Sequence, residues 1–127
     1  MTAGPVKPKR RGSRAALAES PKFESAELLR QPLHGADNKE IILSLVTVPP
    51  GLTAPRHYHS GEEFAYVIEG TAISLFDDQD NEVVNAGEAA HIPYGIVHSV
   101  RADKGVVKAL VVRIHDRGTP ERTLVTD

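Results

Sequence analysis

Apolar runs and turn residues alternate along most of this chain. From residue 41 onward, short apolar or alternating runs are separated by clusters of Gly, Pro, Asp and Asn, which is typical of β-strands joined by turns. IILSLVTV at 41–48 predicts a buried strand that ends at a Pro-Pro-Gly break. Further strands are predicted over 57–59, 63–69, 71–77, 83–84, 89–93, 97–102 and 106–114. The pattern therefore predicts an all-β sandwich or barrel.

The segment before these strands has a different pattern. KFESAELLRQPL, residues 22–33, places two glutamates and an arginine three positions apart, which predicts one short helix that ends at Pro32. HGADNKE follows as a polar turn cluster. Residues 1–21 are rich in Pro, Gly, Lys and Arg and predict a disordered, basic N-terminal arm. We therefore expect a flexible arm over 1–21 and a single β-barrel domain over 22–127.

Composition narrows the possible chemistry. The chain has 127 residues, which suits one domain, and no Cys, which excludes disulfides, thiolate catalysis and Cys-built zinc or iron–sulfur sites. Any metal must therefore be bound through nitrogen and oxygen, for which six His and seventeen acidic residues are available.

Charge is unevenly distributed along the chain. The net charge is −2, but residues 1–20 carry +4 and the remainder carries −6. The basic segment lacks aromatic residues that would stack on bases, so nucleic-acid binding is not expected. It also lacks the apolar stretch of a secretory signal, and no run is long enough to span a bilayer. We therefore expect a cytoplasmic protein without a membrane partner.

The stretch richest in candidate ligands runs from Gly51 to Gly70. His57 and His59 are two positions apart, which on a strand places both imidazoles on one face. Glu63 follows a short turn, and His98, after a Pro/Gly turn, is the best candidate for a third imidazole. Two or three imidazoles and a carboxylate match a mixed nitrogen–oxygen metal site. On spacing alone, an accidental His pair on a surface strand beside a solvated acidic run remains open.

The other histidines are weaker candidates. His34 in a turn and His115 at a strand end are expected to be solvated, and His91 is left open between the same cavity and a second packed face. Four polar groups near the candidate ligands are expected to be structural or solvated rather than catalytic: Arg56, Tyr58, Glu62 and Tyr94. Of these, Tyr94 in the Pro/Gly turn is placed where it can line the mouth of a cavity.

These residues resemble the two sequence motifs of the cupin superfamily. The first motif, G-x5-H-x-H-x3,4-E-x6-G, is filled by Gly51, His57, His59, Glu63 and Gly70. The second motif, G-x5-P-x-G-x2-H-x3-N, is filled by Gly87, Pro93, Gly95 and His98, with Ala102 in place of the Asn. Nine matched positions in two linked motifs make the resemblance specific.

The resemblance implies a double-stranded β-helix, or jelly-roll, cupin barrel over about residues 40–115 with a metal at its centre. By position, His57, His59, Glu63 and His98 would be the ligands of one divalent metal ion per subunit, which could be Fe, Mn, Ni, Co or Zn. The Asn replaced by Ala102 is not a ligand in the family. Its loss therefore concerns the pocket wall or a turn rather than the metal.

The resemblance also implies a function. It indicates a metal-dependent enzyme of dioxygenase, lyase or isomerase type that acts on a small polar organic molecule. The alternative is a non-catalytic cupin that binds a metal or small ligand as a sensor or accessory protein. A transcription-linked module is disfavoured because the chain has no helix-turn-helix signal. Five apolar residues are candidate pocket walls, without a prediction of which ones point inward: Val46, Ile73, Leu75, Val112 and Ile114.

Strand parity gives an expectation about assembly. Counting from Glu63, the inward set is Ala65 and Val67, and the outward set, which is also apolar, is Phe64, Tyr66 and Ile68. A strand that is apolar on both faces is expected to be covered on both faces. The candidate covers are the second sheet layer, the 22–48 segment and a partner subunit. Small cupins that resemble this chain commonly dimerise through such a face, so we expect a homodimer.

Overall fold

The computed structural model describes residues 22–126, and the arm predicted over 1–21 lies outside the described residues. Regular secondary structure within 22–126 consists of strands, and this range contains no helix that could cross a membrane. The eight strands are β1 (Glu24–Leu33), β2 (Ala36–Val48), β3 (His57–Tyr58), β4 (Gly61–Phe76), β5 (Glu82–Asn85), β6 (Ala89–Ile92), β7 (His98–Asp116) and β8 (Thr123–Leu124).

Strand β7 is central to the sheet. It pairs antiparallel with β2 and, along almost the whole length of β4, with β4 as well. Strand β4 also pairs with β5 and β6, whereas β3 pairs with the first residue of β7 and with β8. All eight strands belong to one hydrogen-bonded sheet. The sheet curls into the jelly-roll barrel that the sequence predicts.

Short apolar side chains form the core of the barrel. They come from alternate positions of the long strands, so that Val48 of β2 lies opposite Val107 of β7 in register. The buried cluster contains only valine and alanine: Val48, Val67, Ala72, Val84, Ala102 and Val107. Because these side chains are short, they line the interior without filling it, which leaves space for a cavity.

The inward-facing positions of β4 change at Gly70. Before Gly70, Glu63 and Val67 face the interior, whereas after it Ala72 and Ser74 do so. The alternation shifts by one residue because the pairing of β4 with β7 is irregular between Val67 and Ala72. The two halves of this strand therefore present residues of opposite sequence parity to the same interior.

The segment predicted as a short helix forms strand β1 instead, so that prediction is wrong. Strand β1 pairs with β2 along its length. On a regular strand, residues three positions apart point to opposite faces. A β-bulge between Glu27 and Leu29 shifts this alternation, and Arg30 Nη2 lies 2.8 Å from Glu27 Oε1. Backbone pairing with β2 outweighs the helix propensity of a segment too short to form a stable helix alone.

The predicted strands are confirmed in type, but several are longer than expected. The predicted strands 63–69 and 71–77 are joined in β4, and 97–102 and 106–114 are joined in β7. Irregular pairing lets both long strands bend without breaking. Strand β2 begins inside the predicted polar turn cluster, and the two-residue β8 was not predicted.

We expect Gly70→Ala to lower the free energy of unfolding by more than about 2 kcal/mol. The φ angle of Gly70 is +85°, and a Cβ atom there would lie 2.2 Å from the Val106 carbonyl oxygen. The left-handed backbone alone costs about 1–2 kcal/mol for a residue with a Cβ atom, and the clash adds to that cost. Urea unfolding measures the loss.

Gly35→Ala is the matched control for this prediction. Gly35, in the turn between β1 and β2, also has a φ of +85°, but a Cβ atom there would have nothing within 4 Å. This variant therefore carries the backbone cost without the clash. Equal losses of stability in the two variants would contradict the importance of the close approach at Gly70.

Candidate metal centre

Three strands bring the predicted ligands together. His57 in β3 is paired in register with His98, the first residue of β7, and His59 follows two residues after His57. All three imidazoles are buried. Glu63, near the start of β4, completes the group. The Gly95 amide donates a hydrogen bond to the His59 carbonyl at 3.2 Å, so the turn of the second motif is tied directly to the first.

A backbone carbonyl orients each imidazole. The Nδ1 atoms lie 2.7 Å from Pro55 O in His57, 2.7 Å from Glu121 O in His59 and 2.8 Å from Ile96 O in His98. A carbonyl oxygen only accepts hydrogen bonds, so Nδ1 carries a proton in each ring. In the neutral ring Nε2 is then an unprotonated lone pair, which is the form that binds a metal.

The imidazoles and the carboxylate converge on one point in the barrel. One ring nitrogen of each histidine lies within 4.8 Å of those of the other two. Glu63 Oε1 lies 3.0 Å from His59 Nε2 and 4.0 Å from His98 Nε2. Although this oxygen is close, His59 Nε2 is fully buried without a hydrogen bond. A buried lone pair is costly unless a hydrogen-bond donor or a cation satisfies it, and the cluster of His57, His59 and His98 is compatible with a metal ion.

Glu63 is held in its charged form. Burial by itself raises the pKa of this carboxyl, but His59, Arg113 and His98 outweigh burial and lower the pKa to about 2. Arg113 Nε donates a hydrogen bond to Glu63 Oε1 at 3.0 Å. The carboxylate is therefore negative at neutral pH and suited to bind a cation.

Two of the imidazoles are held in the neutral form. Burial lowers the pKa of His57 to about 4 and also lowers the pKa of His98. The hydrogen bonds to the Pro55 and Ile96 carbonyls act in the opposite direction but are too weak to cancel the effect of burial. Because protons compete with metals for imidazole nitrogen, this environment favours metal binding at neutral pH.

The cluster opens into a cavity of about 590 Å³. Its wall is mostly apolar and includes Val46, as proposed from the sequence, together with Val67, Val84 and Val107. The other four residues considered from the sequence do not line it: Ile73, Leu75, Val112 and Ile114.

A change of strand parity explains why these four candidates do not line the cavity. Ile73 and Leu75 share the parity of Glu63, and Val112 and Ile114 share the parity of His98. The irregular pairing of β4 with β7 shifts the alternation of both strands by one residue. The cavity is consequently lined by Ala72 and Ser74 in β4 and by Val111 and Arg113 in β7.

A chain of ion pairs of alternating sign starts at Glu63. Arg113 contacts both Glu63 and Glu121, and Glu121 Oε1 lies 3.7 Å from Arg30 Nη2. Arg30 Nη1 lies 2.8 Å from Glu40 Oε2, which in turn lies 3.0 Å from His115 Nε2. These ion pairs therefore run from the metal-compatible cluster to residues of β1, β2 and the segment that follows β7, and water screens the outer pairs at Arg30.

His115 lies beside Glu40 at the end of this chain, and its predicted exposure to solvent is wrong. It is only 1% exposed because it has the inward parity of Val111 and Arg113 in the second half of β7. Gly61 of β4 lies directly opposite in register, and a Cβ atom on Gly61 would come within 2.3 Å of His115 Cβ. The absence of a side chain at Gly61 is what makes room for the buried ring.

The remaining histidines and polar groups lie away from the cavity wall. His34 is exposed in a turn, as predicted. His91 is exposed as well, with Nε2 2.7 Å from Glu62 Oε1 and its ring stacked on Phe64, so it points neither into the cavity nor into a second packed face.

The Tyr94 hydroxyl donates to Asp116 at 2.6 Å and does not line the cavity. Arg56 pairs with Asp77, Tyr58 lies outside the cavity lining, and Ala102 is part of the apolar core.

Sequence reasoning missed Arg113 and Glu121. Arg113 did leave a signal, because an arginine in the otherwise apolar run ALVVRI of a predicted strand marks a charge beside a buried face. Glu121 left none, since it lies between strands and acts partly through its backbone carbonyl. Such contacts depend on where the chain passes rather than on which side chain it carries.

Comparison with known proteins identifies the family. A family model described as a cupin domain matches residues 44–113, which is more than half of the chain and contains all four predicted ligands. The chain therefore belongs to the cupin family. A comparison with curated proteins gave no match.

Solved structures share the fold. The DMSP lyase DddQ from Ruegeria pomeroyi DSS-3 is 24% identical, with a TM-score of 0.68 over 81% of this chain and 51% of that one. A cupin-like protein from Thermotoga maritima is 16% identical, with a TM-score of 0.65 over 83% and 77% of the two chains. An RmlC-like cupin with a double-stranded β-helix fold from Methanocaldococcus jannaschii is 14% identical, with a TM-score of 0.63 over 89% and 94%. The present chain spans about half the length of DddQ, and at these identities the similarity concerns the fold.

We expect the metal-stripped protein to lose stability as the pH falls from about 6.5 towards 4. Unfolded His57 takes up a proton near its ordinary pKa of 6.5, whereas folding lowers this pKa to about 4. Between these values the unfolded state binds more protons, so acid favours unfolding. Thermal unfolding in EDTA across this range measures the effect.

His57→Asn is expected to reduce this pH dependence, because the variant removes one of the two imidazoles, His57 and His98, whose pKa folding lowers. His34→Asn, at an exposed position, is the control and is expected to keep the wild-type profile. A wild-type profile in His57→Asn would show that burial of His57 does not control the acid sensitivity.

Proposed function

We propose that this cupin binds one divalent metal ion through His57, His59, His98 and Glu63 and uses it to catalyse a reaction of a small organic molecule. The observation that carries the proposal is the orientation of the imidazoles. Each Nδ1 is bonded to a backbone carbonyl, which leaves three Nε2 atoms free to bind one ion. Three neutral nitrogens and one carboxylate oxygen suit Fe, Mn, Ni, Co or Zn.

The cavity supports a substrate with a polar end and an apolar body. Glu63 and Arg113 lie beside the imidazoles, and valine and alanine side chains form most of the remaining wall, which also includes Glu24, Glu121 and Arg122. A divalent ion held there would polarise a carbonyl or carboxylate group or bind oxygen. The protein would orient the substrate, and its apolar wall would keep water away from the reacting end.

Lyase, isomerase and dioxygenase chemistry all suit this set of ligands. The similarity of fold to the DMSP lyase DddQ supports testing lyase chemistry first. Glu24 and Glu121 also line the cavity, and their carboxylates are candidates to accept a proton from a bound substrate. The cytoplasmic location and the small-molecule substrate expected from the sequence are parts of the same proposal.

A non-catalytic sensor or accessory protein is the second candidate function. It is favoured by the composition of the wall, since among the described residues that line the cavity there is no Tyr, Lys or Thr. Besides the candidate metal ligands, Glu24 and Glu121 are the lining carboxylates left for proton transfer, and a mostly apolar wall can bind a ligand without converting it. Turnover, rather than ligand binding, distinguishes the two candidates.

A homodimer remains part of the proposal. The outer face of β4 carries Phe64, Tyr66 and Ile68, which are all exposed in the single chain. Within residues 22–126, neither the second sheet layer nor the 22–48 segment, both considered from the sequence, buries these three side chains. A second copy of the chain would bury the three side chains.

We expect the wild-type protein, after removal of metal and addition of Co²⁺, to bind about one ion per chain, and His57→Ala to weaken Co²⁺ binding by at least about 100-fold because a ligand is lost. Calorimetric titration and elemental analysis measure affinity and stoichiometry. His34→Ala is the control, since His34 is exposed in a turn. Wild-type affinity in His57→Ala would show that the ligand assignment is wrong.

The same preparation tests catalysis. Reconstituted protein is incubated, with and without oxygen, with DMSP, other small carboxylic acids, diketones and flavonols. Product formation that needs the metal and is lost in His57→Ala supports an enzyme, and its dependence on oxygen separates dioxygenase from lyase chemistry. Metal and ligand binding without turnover would favour the sensor or accessory protein.

We expect Ile68→Glu to convert a dimer into a monomer, because the charge would be buried without a partner in the interface. Light scattering after size exclusion measures the mass. Leu124→Glu is the matched control, since Leu124 of β8 is 49% exposed and Ile68 is 50% exposed. A wild-type monomer, or an unchanged dimer in Ile68→Glu, would contradict assembly through this face.

A further inference from the structure

We propose that Arg113 is a counter-charge that competes with the divalent metal ion for the Glu63 carboxylate, and that Glu121 sets the strength of this competition. The inference rests on the metal binding proposed above. Arg113 lies in β7 opposite Glu63 of β4 in register, and its side chain is 13% exposed. A guanidinium this close to a candidate metal ligand influences any cation that binds there.

One oxygen of the Glu63 carboxylate lies close both to Arg113 and to the imidazole of His59. Glu63 Oε1 accepts a hydrogen bond from Arg113 Nε at 3.0 Å and also lies 3.0 Å from His59 Nε2. An oxygen that accepts from a guanidinium offers less negative charge to a metal ion. The guanidinium also repels a divalent cation held by the neighbouring imidazoles. Arg113 helps to keep Glu63 ionised, but toward the charged carboxylate it competes with a metal ion, both at the shared oxygen and through space.

Glu121 contacts the Arg113 guanidinium at Nη1, whereas Glu63 contacts it at Nε. Its carboxylate pairs with Arg113 Nη1, and its backbone carbonyl accepts the hydrogen bond from His59 Nδ1 at 2.7 Å. One residue thus orients an imidazole with its backbone and partly neutralises the counter-charge with its side chain. Because the Glu121 side chain is 33% exposed, water screens part of this neutralisation.

Arg113 has a second effect, on folding. A buried carboxylate without a partner is strongly destabilising. When no metal is bound, Arg113 supplies that partner to Glu63, and when a metal is bound, the ion supplies it instead. Removing the guanidinium should therefore destabilise the stripped protein more than the loaded one, whereas loss of ordinary packing would affect both forms equally.

The test measures Co²⁺ affinity in variants that are expected to change this affinity in opposite directions. We expect Arg113→Met to tighten Co²⁺ binding by at least about tenfold, because a unit charge a few ångströms away at an effective dielectric constant of about 20 contributes that much or more. Glu121→Gln keeps the backbone carbonyl but leaves Arg113 less neutralised, so we expect binding about threefold to tenfold weaker. Arg113→Lys keeps the charge and should bind Co²⁺ much as the wild type does.

Two further measurements separate this role from a structural one. Glu82→Gln, at an exposed position of strand β5, removes an equal charge outside the cavity lining and should leave affinity unchanged. Thermal unfolding with and without Co²⁺ should show a larger metal-induced rise of the melting temperature in Arg113→Met than in the wild type. If Arg113→Met does not fold, weaker binding in Glu121→Gln but not in Glu82→Gln still supports the proposal.

The outcomes that overturn the inference differ from those that overturn the proposed function. Unchanged or weaker Co²⁺ binding in a folded Arg113→Met, or wild-type affinity in Glu121→Gln, overturns the counter-charge role while metal binding stands. Absence of Co²⁺ binding by the wild-type protein overturns the proposed function and this inference with it.

Discussion

Hydrogen bonds from imidazole Nδ1 atoms to backbone carbonyls are the constraint on which the metal-compatible cluster depends. The carbonyls belong to Pro55, Glu121 and Ile96, which lie in three different connecting segments. Each bond fixes both the direction of a ring and the nitrogen that carries its proton. The three rings can converge only if these segments are correctly placed, and it is the closure of the sheet around β7 that places them.

Desolvation gives this arrangement its electrostatic character. The interior is lined with short apolar side chains, and burial keeps His57 and His98 neutral. The same burial would neutralise Glu63 if cationic and imidazole neighbours did not hold it ionised. A neutral set of nitrogens beside one fixed negative charge is the combination that favours a divalent cation over a proton. The wall and the polar cluster are thus two parts of one electrostatic environment.

The sequence predicted the local parts of this site better than the long-range ones. The His57–His59 spacing, the turn before His98 and the motif positions indicated the cluster, because strand alternation and turn chemistry act over a few residues. Strand β1 was mistaken for a helix because its pairing with β2 is a tertiary effect. The sequence did not tell which candidate wall residues point inward for a similar reason, since the irregular pairing that shifts strand parity near Gly70 depends on β7 as well as on β4.

The contacts that complete the cluster join parts of the chain that are far apart in sequence. Glu63 and Arg113 are separated by 50 positions, and His59 and Glu121 by 62. Closing such loops carries an entropic cost, so we expect these contacts to form late in folding. An ion bound by these side chains would consequently have little to hold in the early, open chain. Its kinetic effect would fall on the rate of unfolding, since the barrel must release the ion before it can open.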